Sequence, residues 1–379
     1  MDNPVIRSIE WAMLEGQRPR SAGCNARLGE HGVTVRVPVA RITTSEGASG
    51  WGRCRAMRQE AAALLGQPLN TLFDPAYGTL PAGLPVELPL WDLVAKRTDQ
   101  AVYQLVAAIR GQALTGTLQV PCYDTSLYID DLHLPQEQEA AALIAEEARQ
   151  GLARGHRAFK IKIGRGARHM PLEAGTMRDI AVIHAVRETV GADAPVMVDV
   201  NNGYNLNLTK RVLTETADCN LFWLEEAFHE DRVLYEDLQA WIKQRGLSVL
   251  IADGEGDASP HLLSWAKAGL INVVQYDIFG YGFTAWIHLA QQLDEWGVQS
   301  APHHYGAHLG NFVSCHLSPA AEHFAFVEWD EVSTPGIDSS HYQIEAGLVQ
   351  VPVRPGFGLD LDEAIFTQAV ERVGYRVAM

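Results

Sequence analysis

Acidic and basic residues recur at the ends of successive apolar segments of the chain. They are Lys162, Asp199, Glu225, Glu255, Asp277, His303 and Glu328. From Asp199 onward the intervals are 22 to 30 residues, close to the length of one strand and helix unit. Residues with this spacing would meet at one end of a barrel of parallel strands, where they could bind a cation and move protons.

Three of these residues are carboxylates that would suit a metal ion. Asp199, Glu225 and Glu255 offer the oxygen ligands that a hard divalent cation such as Mg²⁺ prefers. The alternative is that each caps a following helix or pairs with a lysine. Asp253 and Glu255 are two residues apart and would point to the same face of a strand, so the sequence leaves open which one binds metal.

Two lysines provide a candidate base. Lys160 and Lys162 alternate with Ile161 and Ile163, so in a barrel strand both ammonium groups would point to the interior. Burial and mutual repulsion would lower the pKa of a lysine toward neutrality, where it can accept a proton. A solvated pair on an edge strand is the alternative.

A histidine would supply a second acid/base group. His303 and Asp277 end neighbouring segments and could form a hydrogen-bonded pair in which the carboxylate orients the imidazole. His304 and His308 lie nearby, so the sequence does not make this assignment unique. The polar residues beside the catalytic positions that would suit a polyol are Asn201, Asn202, Tyr204, His304 and Tyr305.

Eight short apolar segments alternate with amphipathic helical patterns. The predicted strands are 120–127, 158–164, 195–201, 221–227, 248–255, 271–278, 298–303 and 324–331. Such alternation indicates parallel strands, and eight of them predict a TIM-like (β/α)₈ barrel. A doubly wound open sheet is the alternative, but no glycine-rich phosphate loop follows the first strand.

The N-terminal part of the chain differs from this repeat. Residues 1 to about 118 mix strand and helix signals, and residues 16–32 lack periodicity, which predicts a long loop that acts as a lid. Arg18, Arg20 and Arg27 lie in this stretch, and one could pair with a distal carboxylate of a substrate, which would suggest a diacid. The tail from residue 341 is interrupted by prolines and would return to the N-terminal part.

Charge and composition exclude several classes of protein. Lys and Arg number 30 against 46 Asp and Glu, a net charge of −16 over 379 residues, which disfavours nucleic acid and anionic membranes as partners. No apolar run is long enough to span a bilayer. The five cysteines show no metal or redox spacing, and no signal peptide is evident, so we expect a soluble, cytoplasmic protein. A homo-oligomer is also expected.

These residues give the chain a resemblance to a known family. It resembles the enolase superfamily, specifically the mandelate racemase subgroup of the mandelate racemase and muconate lactonizing enzyme family. The motifs are Lys160-Ile-Lys162, Asp199-Val-Asn201, Trp223-Leu-Glu-Glu226, Asp253-Gly-Glu255, Gln275-Tyr-Asp277, Ala301-Pro-His303 and Val327-Glu328. Gly50-Trp-Gly52, Leu90-Trp-Asp92 and Pro355-Gly-Phe-Gly358 extend the resemblance over nearly the whole chain.

The resemblance implies a domain organisation and a set of roles. An α+β capping domain would comprise residues 1–118 and 341–379, and a modified (β/α)₈ barrel would comprise 119–340. The implied metal ligands for Mg²⁺ are Asp199, Glu225 and Glu255. The implied catalytic residues are Lys162, the His303 and Asp277 pair, and Glu328, which in protonated form would donate to an enolate. Lys160, Asn201 and His304 would contact a small carboxylate substrate.

The function implied by the resemblance is dehydration of a sugar acid. A base removes the proton α to the carboxylate, the β-hydroxyl leaves as water, and a 2-keto-3-deoxy acid results. A racemase or epimerase on the same scaffold is the first alternative. A barrel kept only for binding is the second, although such a protein would be expected to have lost some of these polar groups.

Overall fold

A four-stranded antiparallel sheet begins the chain in the computed structural model, which describes residues 3–379. Its first three strands are β1 (Ile6–Ala22), β2 (Gly32–Thr44) and β3 (Ser49–Arg53). The elements that follow are α1 (Arg58–Ala63), β4 (Phe73–Asp74), β5 (Gly78–Thr79), α2 (Glu87–Arg97) and α3 (Val102–Ile109). The helices cover one face of the sheet, and α2 packs closely on β3.

The long hairpin of β1 and β2 corrects the prediction of a loop over residues 16–32. Gln17 pairs with Thr34 and Ala22 with Gly32, so only residues 23–31 lie outside the strands. The alternation was not recognised because arginines, not apolar residues, occupy alternate positions at Arg18 and Arg20. Main-chain hydrogen bonds between Gln17 and Ser333, at 2.8 and 2.9 Å, attach the hairpin to the barrel.

Eight parallel strands form a closed ring, which confirms the predicted barrel. They are β6 (Leu118–Leu127), β7 (Phe159–Lys162), β8 (Val196–Asp199), β9 (Trp223–Glu225), β10 (Leu250–Asp253), β11 (Val273–Val274), β12 (Gln299–Ser300) and β13 (Val327–Trp329). Neighbours in the sequence pair in order, β13 pairs with β6, and a bridge between Ser300 and Phe324 closes the ring. Each predicted segment coincides with one of these strands, although β6 begins two residues before its predicted start at 120.

Helices surround the ring. They are α4 (Glu137–Ala153), α5 (Leu172–Val190), α6 (Leu206–Glu215), α7 (Arg232–Arg245), α8 (Leu262–Lys267), α9 (Ile278–Tyr281), α10 (Phe283–Trp296) and α11 (Gly310–Leu317). Local signals set their ends: Asp231 caps α7 by accepting hydrogen bonds from the Val233 and Leu234 main-chain N–H groups, and Gly246 ends it with φ of 66°. Among the described residues, no helix is long and apolar enough to cross a membrane.

An apolar cluster fills the inside of the barrel toward the amino ends of the strands. Its buried members are Tyr123, Ala158, Met197, Trp223, Ala252, Val273 and Ala301. The next inward position of β7 is Lys160, whose Nζ lies 5.2 Å from the Tyr123 ring centroid. The polar residues at the carboxyl ends of the strands therefore pack on a layer of apolar side chains, which excludes water from that side of them.

The tail contacts both parts of the molecule. Just before it lies β14 (Ile337–Asp338), and its own elements are β15 (Gln343–Glu345), β16 (Leu348–Val351), β17 (Asp360–Leu361), α12 (Glu363–Val373) and β18 (Tyr375–Ala378). β16 pairs antiparallel with β6, and β18 pairs antiparallel with β1. The Tyr375 ring stacks on Trp11 at 5.7 Å, which ties the end of the chain to the N-terminal sheet.

A buried ion network supports the loop that follows the lysine strand. Arg165 is fully buried and donates to Asp131 at 2.6 Å and to Asp179 at 2.7 Å. Asp179 also accepts a hydrogen bond from Tyr204 at 2.7 Å and one from the Gly164 main-chain N–H at 2.9 Å. The network fixes the chain just beyond Lys162.

We predict that Arg165→Met destabilises the fold by about 3–5 kcal/mol, because it leaves the buried carboxylate of Asp179 without its counter-charge and Asp131 with Arg178 alone. The measurement is the free energy of unfolding in urea. Arg149→Ala removes a guanidinium from an exposed pair with Glu146 and serves as the control, with a change within about 0.5 kcal/mol. Equal effects of the two substitutions would contradict the structural role of the network.

Candidate active site

Three carboxylates meet at the carboxyl end of the barrel strands. Asp199 and Glu225 are register partners on β8 and β9, and Glu255 follows β10. One oxygen from each lies within 4.8 Å of the others. Asp199 and Glu225 are buried, whereas Glu255 is partly open to solvent. This donor set of carboxylate oxygens fits a hard divalent cation whose remaining ligands come from water or substrate.

Asp253 does not join this group. It ends β10 and accepts hydrogen bonds from the Tyr235 hydroxyl of α7 and, at 2.7 Å, from the Gly254 main-chain N–H. The expectation that Asp253 and Glu255 share a face is wrong, because the strand stops at Asp253 and Gly254 turns the chain with φ of 128°. Glu255 is thus the residue of the pair that lies beside Asp199 and Glu225.

Both lysines of β7 point into the barrel, as predicted. Lys162 pairs closely with Asp199 of the neighbouring strand. Lys160 lies 2.8 Å from Glu225, 3.6 Å from Asp199 and 3.3 Å from Glu328. Both side chains are buried, so carboxylates and not water molecules surround each ammonium group.

The predicted direction of the lysine pKa shift is wrong for this arrangement. Burial and the neighbouring lysine lower the pKa of Lys162, but Asp199 outweighs them and raises it above the ordinary value. The pKa of Lys160 is raised further by Glu225 and Glu328, against the effect of burial. The two lysines repel each other within one strand, but the carboxylates that outweigh this repulsion come from other strands.

His303 and Asp277 come together as predicted. They form a parallel bridge after β11 and β12, and Nδ1 of the imidazole lies 3.5 Å from Asp277 Oδ2. Nε2 of the same ring lies 3.1 Å from Glu255 and 3.8 Å from Glu328. Burial lowers the pKa of His303, but Glu255, Glu328 and Asp277 together raise it to about 10. The imidazole is therefore protonated at neutral pH.

Glu328 lies at the floor of the site and is ionised. Its Oε2 accepts hydrogen bonds from the main-chain N–H groups of His304 and Tyr305, at 2.8 and 3.0 Å, and Oε1 accepts one from Thr125 at 2.8 Å. Burial would raise the pKa of Glu328, but Lys160 and His303 hold it well below its usual range. The expectation of a protonated Glu328 that donates to an enolate is therefore wrong.

Asn201 positions the carboxylates. Its main-chain N–H donates to Asp199 at 2.9 Å, and its side chain donates to Glu226 at 2.9 Å and to Glu255 at 3.2 Å. Among residues 3–379 its Oδ1 has no hydrogen-bond partner, and it can accept a hydrogen bond from a hydroxyl group of a ligand. Asn202 donates to Glu226 at 2.7 Å.

The candidate set drawn from the sequence omitted Glu226. Burial and the charges of Glu255 and Asp199 raise the pKa of Glu226 to about 10, so this carboxyl is neutral at pH 7. The signal in the sequence was the pair of consecutive glutamates at the end of β9. Strand alternation would direct only one of them inward, but Glu226 lies past the strand in a left-handed conformation with φ of 44°.

Two of the expected polar lining residues face elsewhere. The ring of His304 packs against Gly310 of α11 and leaves no room for a Cβ there, so its contact with the site is its main-chain N–H. Tyr204 donates to Asp179 in the network of Arg165. His304 follows His303 directly, and adjacent residues of an extended chain point to opposite sides.

The β1–β2 hairpin covers one side of the site. Arg18 pairs with Asp330 at 3.0 Å, and Arg20 pairs with Asp130 at 2.5 Å and with Glu147 at 3.0 Å. Arg27 is exposed.

The hairpin also contributes His31, which the sequence analysis did not select. Its ring meets Tyr128 and Tyr305 edge-on, at 5.1 and 5.7 Å. Burial and the charges of Lys162 and Arg18 lower the pKa of His31 to about 4, so it is a neutral hydrogen-bonding group. Its Nε2 makes no hydrogen bond to any of the residues that the structure describes.

A cavity that can hold a ligand lies next to Asp277, the partner of His303. A cavity of about 580 Å³ lies between the N-terminal elements and the barrel, and its walls include Arg53, Asp277, Phe279 and Tyr305. The Arg53 guanidinium stacks on the Phe279 ring at 3.9 Å. A polar molecule of the size of a sugar would fit in this volume.

Comparisons with known proteins agree with this architecture. Residues 143–365 match the family model described as enolase C-terminal domain-like. The structure is similar to a galacturonate dehydratase from Geobacillus sp. in complex with D-galacturonate and 5-keto-4-deoxy-D-galacturonate. The two are 49% identical with a TM-score of 0.94, and the match covers 99% of each chain.

Two further relatives match most of the chain. A mandelate racemase/muconate lactonizing protein from Geobacillus sp. Y412MC10, complexed with magnesium and tartrate, is 48% identical with a TM-score of 0.97. The match covers 100% of this chain and 98% of that one. A D-galactarolactone cycloisomerase from Agrobacterium fabrum is 25% identical over 87% of this chain and 90% of its own.

The pairing of His303 with Asp277 predicts a measurable pKa. In metal-free protein Asp277→Asn should lower the pKa of His303 by roughly 1–3 pH units, because it removes an opposite charge. Since the folded pKa of about 10 exceeds the ordinary 6.5, protonated His303 stabilises the fold fully below about pH 6.5. That stabilisation is lost as the pH rises through about 10, and the variant should lose it at lower pH.

The measurement is an NMR titration of the histidine ring signals, combined with urea unfolding at several pH values. Asp237→Asn alters an exposed carboxylate on α7 and should leave the His303 titration unchanged. A pKa that stays near 10 in Asp277→Asn would show that the pair does not determine the charge of His303.

Proposed function

The chain belongs to the family of enolase C-terminal domain-like proteins, and from that premise we propose that it is a Mg²⁺-dependent sugar-acid dehydratase. The observation that supports this function is the row of Asp199, Glu225 and Glu255, with Lys162 in contact at one end and His303 at the other. Removal of a proton next to a carboxylate needs a cation to stabilise the new negative charge and two acid/base groups to move protons.

The metal site is proposed on the chemistry of its donors. Mg²⁺ would be held by Asp199, Glu225 and Glu255, and when bound it lowers the energy of negative charge that develops on the substrate carboxylate. Lys160 lies against two of these carboxylates and adds positive charge where that charge develops.

The two acid/base groups have complementary roles in this proposal. Lys162 removes the α-proton in its neutral form, so its ammonium group must first lose a proton to solvent, because Asp199 favours the charged form. Asp199 also fixes the position of the lysine nitrogen. Protonated His303, oriented by Asp277, donates its Nε2 proton to the hydroxyl on the β-carbon, which leaves as water. The enol that remains tautomerises to the keto product. For a substrate of the opposite configuration the two groups exchange roles.

We propose a hexuronate of the D-galacturonate type as substrate. The crystallised relative, which is 49% identical, contains D-galacturonate and 5-keto-4-deoxy-D-galacturonate. The second compound is the first minus one molecule of water, which is lost as the proton α to the carboxylate and the hydroxyl on the next carbon. A substrate with one carboxylate also suits the hairpin, because Arg18 and Arg20 are already paired with carboxylates of the protein. Arg27 pairing with a second carboxylate stays a prediction.

Neutral polar groups would recognise the rest of the sugar. Asn201 Oδ1, His31 Nε2 and the Tyr305 hydroxyl each lack a hydrogen-bond partner among residues 3–379. A polyol offers both donors and acceptors, so it can satisfy such groups without adding charge. These contacts replace His304 among the side chains proposed to bind substrate.

Racemisation or epimerisation is the second candidate function. It is supported by the same pair of groups, because a base on one face and an acid on the other can invert the α-carbon. The two reactions differ in product: only dehydration gives a keto-deoxy acid, whereas epimerisation in D₂O incorporates deuterium at the α-carbon and retains the hydroxyl groups.

The activity prediction is dehydration of D-galacturonate in the presence of Mg²⁺. Lys162→Ala and His303→Asn should each lower kcat by roughly 10²–10⁴-fold, because each removes one general acid/base. Product is measured by ¹H NMR in D₂O. Lys210→Ala, which removes a half-buried lysine on α6 paired with Asp237, is the matched control and should keep full activity.

Two outcomes would contradict this prediction. Deuterium uptake without any keto product would favour the epimerase. Full activity in both Lys162→Ala and His303→Asn would show that other residues move the protons.

A metal-binding prediction separates the two candidates for the third ligand. Glu255→Gln should abolish calorimetrically detectable Mg²⁺ binding, because it removes one of three anionic oxygens. Asp253→Asn should bind Mg²⁺ within a few-fold of the unaltered protein, since Asp253 faces Tyr235. The reverse pattern would reassign the ligand to Asp253.

A further inference from the structure

A second group of possible metal ligands lies away from the carboxylates of the candidate active site. It comprises His184 on α5 and Asp218 and Cys219 in the short turn before β9, and one donor atom from each lies within 4.8 Å of the others. Cys219 precedes β9, whereas the active-site groups follow the strands. This group therefore lies toward the amino ends of the strands, at the opposite end of the barrel from Glu225.

The donor atoms have the spacing of a tetrahedral site. His184 Nδ1 lies 3.2 Å from Cys219 Sγ and 3.8 Å from Asp218 Oδ2. Bond lengths of about 2.1 Å to nitrogen and 2.3 Å to sulfur place N and S of a tetrahedral zinc site roughly 3.6 Å apart. The observed nitrogen–sulfur distance therefore differs from that of a zinc site by a few tenths of an ångström.

The orientation of His184 is that of a metal ligand. Its Nε2 lies 3.1 Å from the main-chain carbonyl oxygen of Glu215 and can only donate to it. This bond fixes the tautomer with the proton on Nε2, so the lone pair on Nδ1 points to Cys219 and Asp218. A backbone carbonyl bonded to the second ring nitrogen is the usual support of a metal-binding histidine.

The turn that carries the other two donors is held in place. Arg187, one helical turn after His184, donates to the Cys219 carbonyl oxygen at 2.8 Å. The Cys219 main-chain N–H donates to the Thr216 carbonyl oxygen at 2.9 Å, and the Thr216 hydroxyl donates to α6 at 2.8 Å. The main chain of the turn is thus fixed relative to α5 and α6 before any ion binds, which lowers the entropy cost of binding.

We propose that His184, Asp218 and Cys219 form a second metal site, selective for Zn²⁺ over Mg²⁺, which ties α5 to the turn before β9. Imidazole and thiolate are borderline and soft ligands that bind Zn²⁺ well and Mg²⁺ poorly. Asp218 is largely exposed, so the ion can enter from solvent and keep a water molecule as its fourth ligand. On binding, Cys219 releases its thiol proton to solvent and the sulfur–zinc bond forms.

Burial and the charge of Asp218 raise the pKa of Cys219 to about 11 in the absence of metal, so the thiol is protonated until an ion displaces the proton. The site is independent of the proposed dehydratase reaction. Its residues contact neither Lys162 nor His303, and its position predicts an effect on stability and not on turnover.

The test uses the full-length protein with excess Mg²⁺ present, so that the oxygen-ligand site is occupied, and titrates Co²⁺ as a spectroscopic probe. We expect one equivalent to produce a thiolate-to-cobalt charge-transfer band, which one equivalent of Zn²⁺ then removes. Cys219→Ser should abolish the band. Asp218→Asn, an exposed substitution that leaves the fold intact, should weaken Zn²⁺ binding in a chelator competition by at least roughly tenfold.

Cys24→Ser is the matched control, because Cys24 is a partly exposed cysteine outside the group, and it should keep the band. Zn²⁺ should raise the thermal midpoint of the unaltered protein and leave that of Cys219→Ser unchanged. No band in the unaltered protein, or a band of equal intensity in Cys219→Ser, would overturn the proposal.

Discussion

The structure depends on the balance of charge at the carboxyl end of the barrel. Asp199, Glu225 and Glu328 are buried close together, and two unit charges 4 Å apart repel by about 4 kcal/mol at an effective dielectric constant of 20. Lys160 and Lys162 offset this repulsion, since each lies against at least one carboxylate. The strand register of the barrel aligns these charges, so the fold itself determines where a cation and a substrate anion can bind.

Burial and neighbouring charges determine the protonation state of each group. The charges of Lys160 and His303 keep Glu328 ionised against the effect of burial, whereas Glu226 is buried among other carboxylates and is neutral at pH 7. His303 is protonated because three carboxylates surround it. One small volume thus contains an acid, a potential base and a fixed anion, which is the separation of roles that acid/base catalysis requires.

The sequence predicted those residues whose direction follows from strand alternation. Lys160 and Lys162 point inward because a strand has a period of two, and His303 meets Asp277 because consecutive strands of the barrel are neighbours. Alternation failed where a strand ended: Glu255 enters the site after the turn at Gly254, and Asp253 does not.

The pKa directions could not be predicted from the sequence, because they depend on charges from other strands. The local pattern placed Lys162 beside Lys160, and only the three-dimensional structure brings Asp199 of the next strand against both of them. The hairpin was missed for a related reason. Its alternate positions carry arginines, which pair with carboxylates of the barrel and leave no apolar pattern in the sequence.

A double-mutant cycle between Lys160 and Glu328, whose charged atoms lie 3.3 Å apart, tests the charge balance most directly. The free energy of unfolding would be measured in metal-free buffer for Lys160→Met, Glu328→Gln and the double variant. If the attraction between Lys160 and Glu328 compensates for the cost of burying their charges, the double variant is more stable than the sum of the two single effects predicts. The expected difference is roughly 0.5–3 kcal/mol. Additive effects would contradict the claim that buried cations hold these carboxylates together.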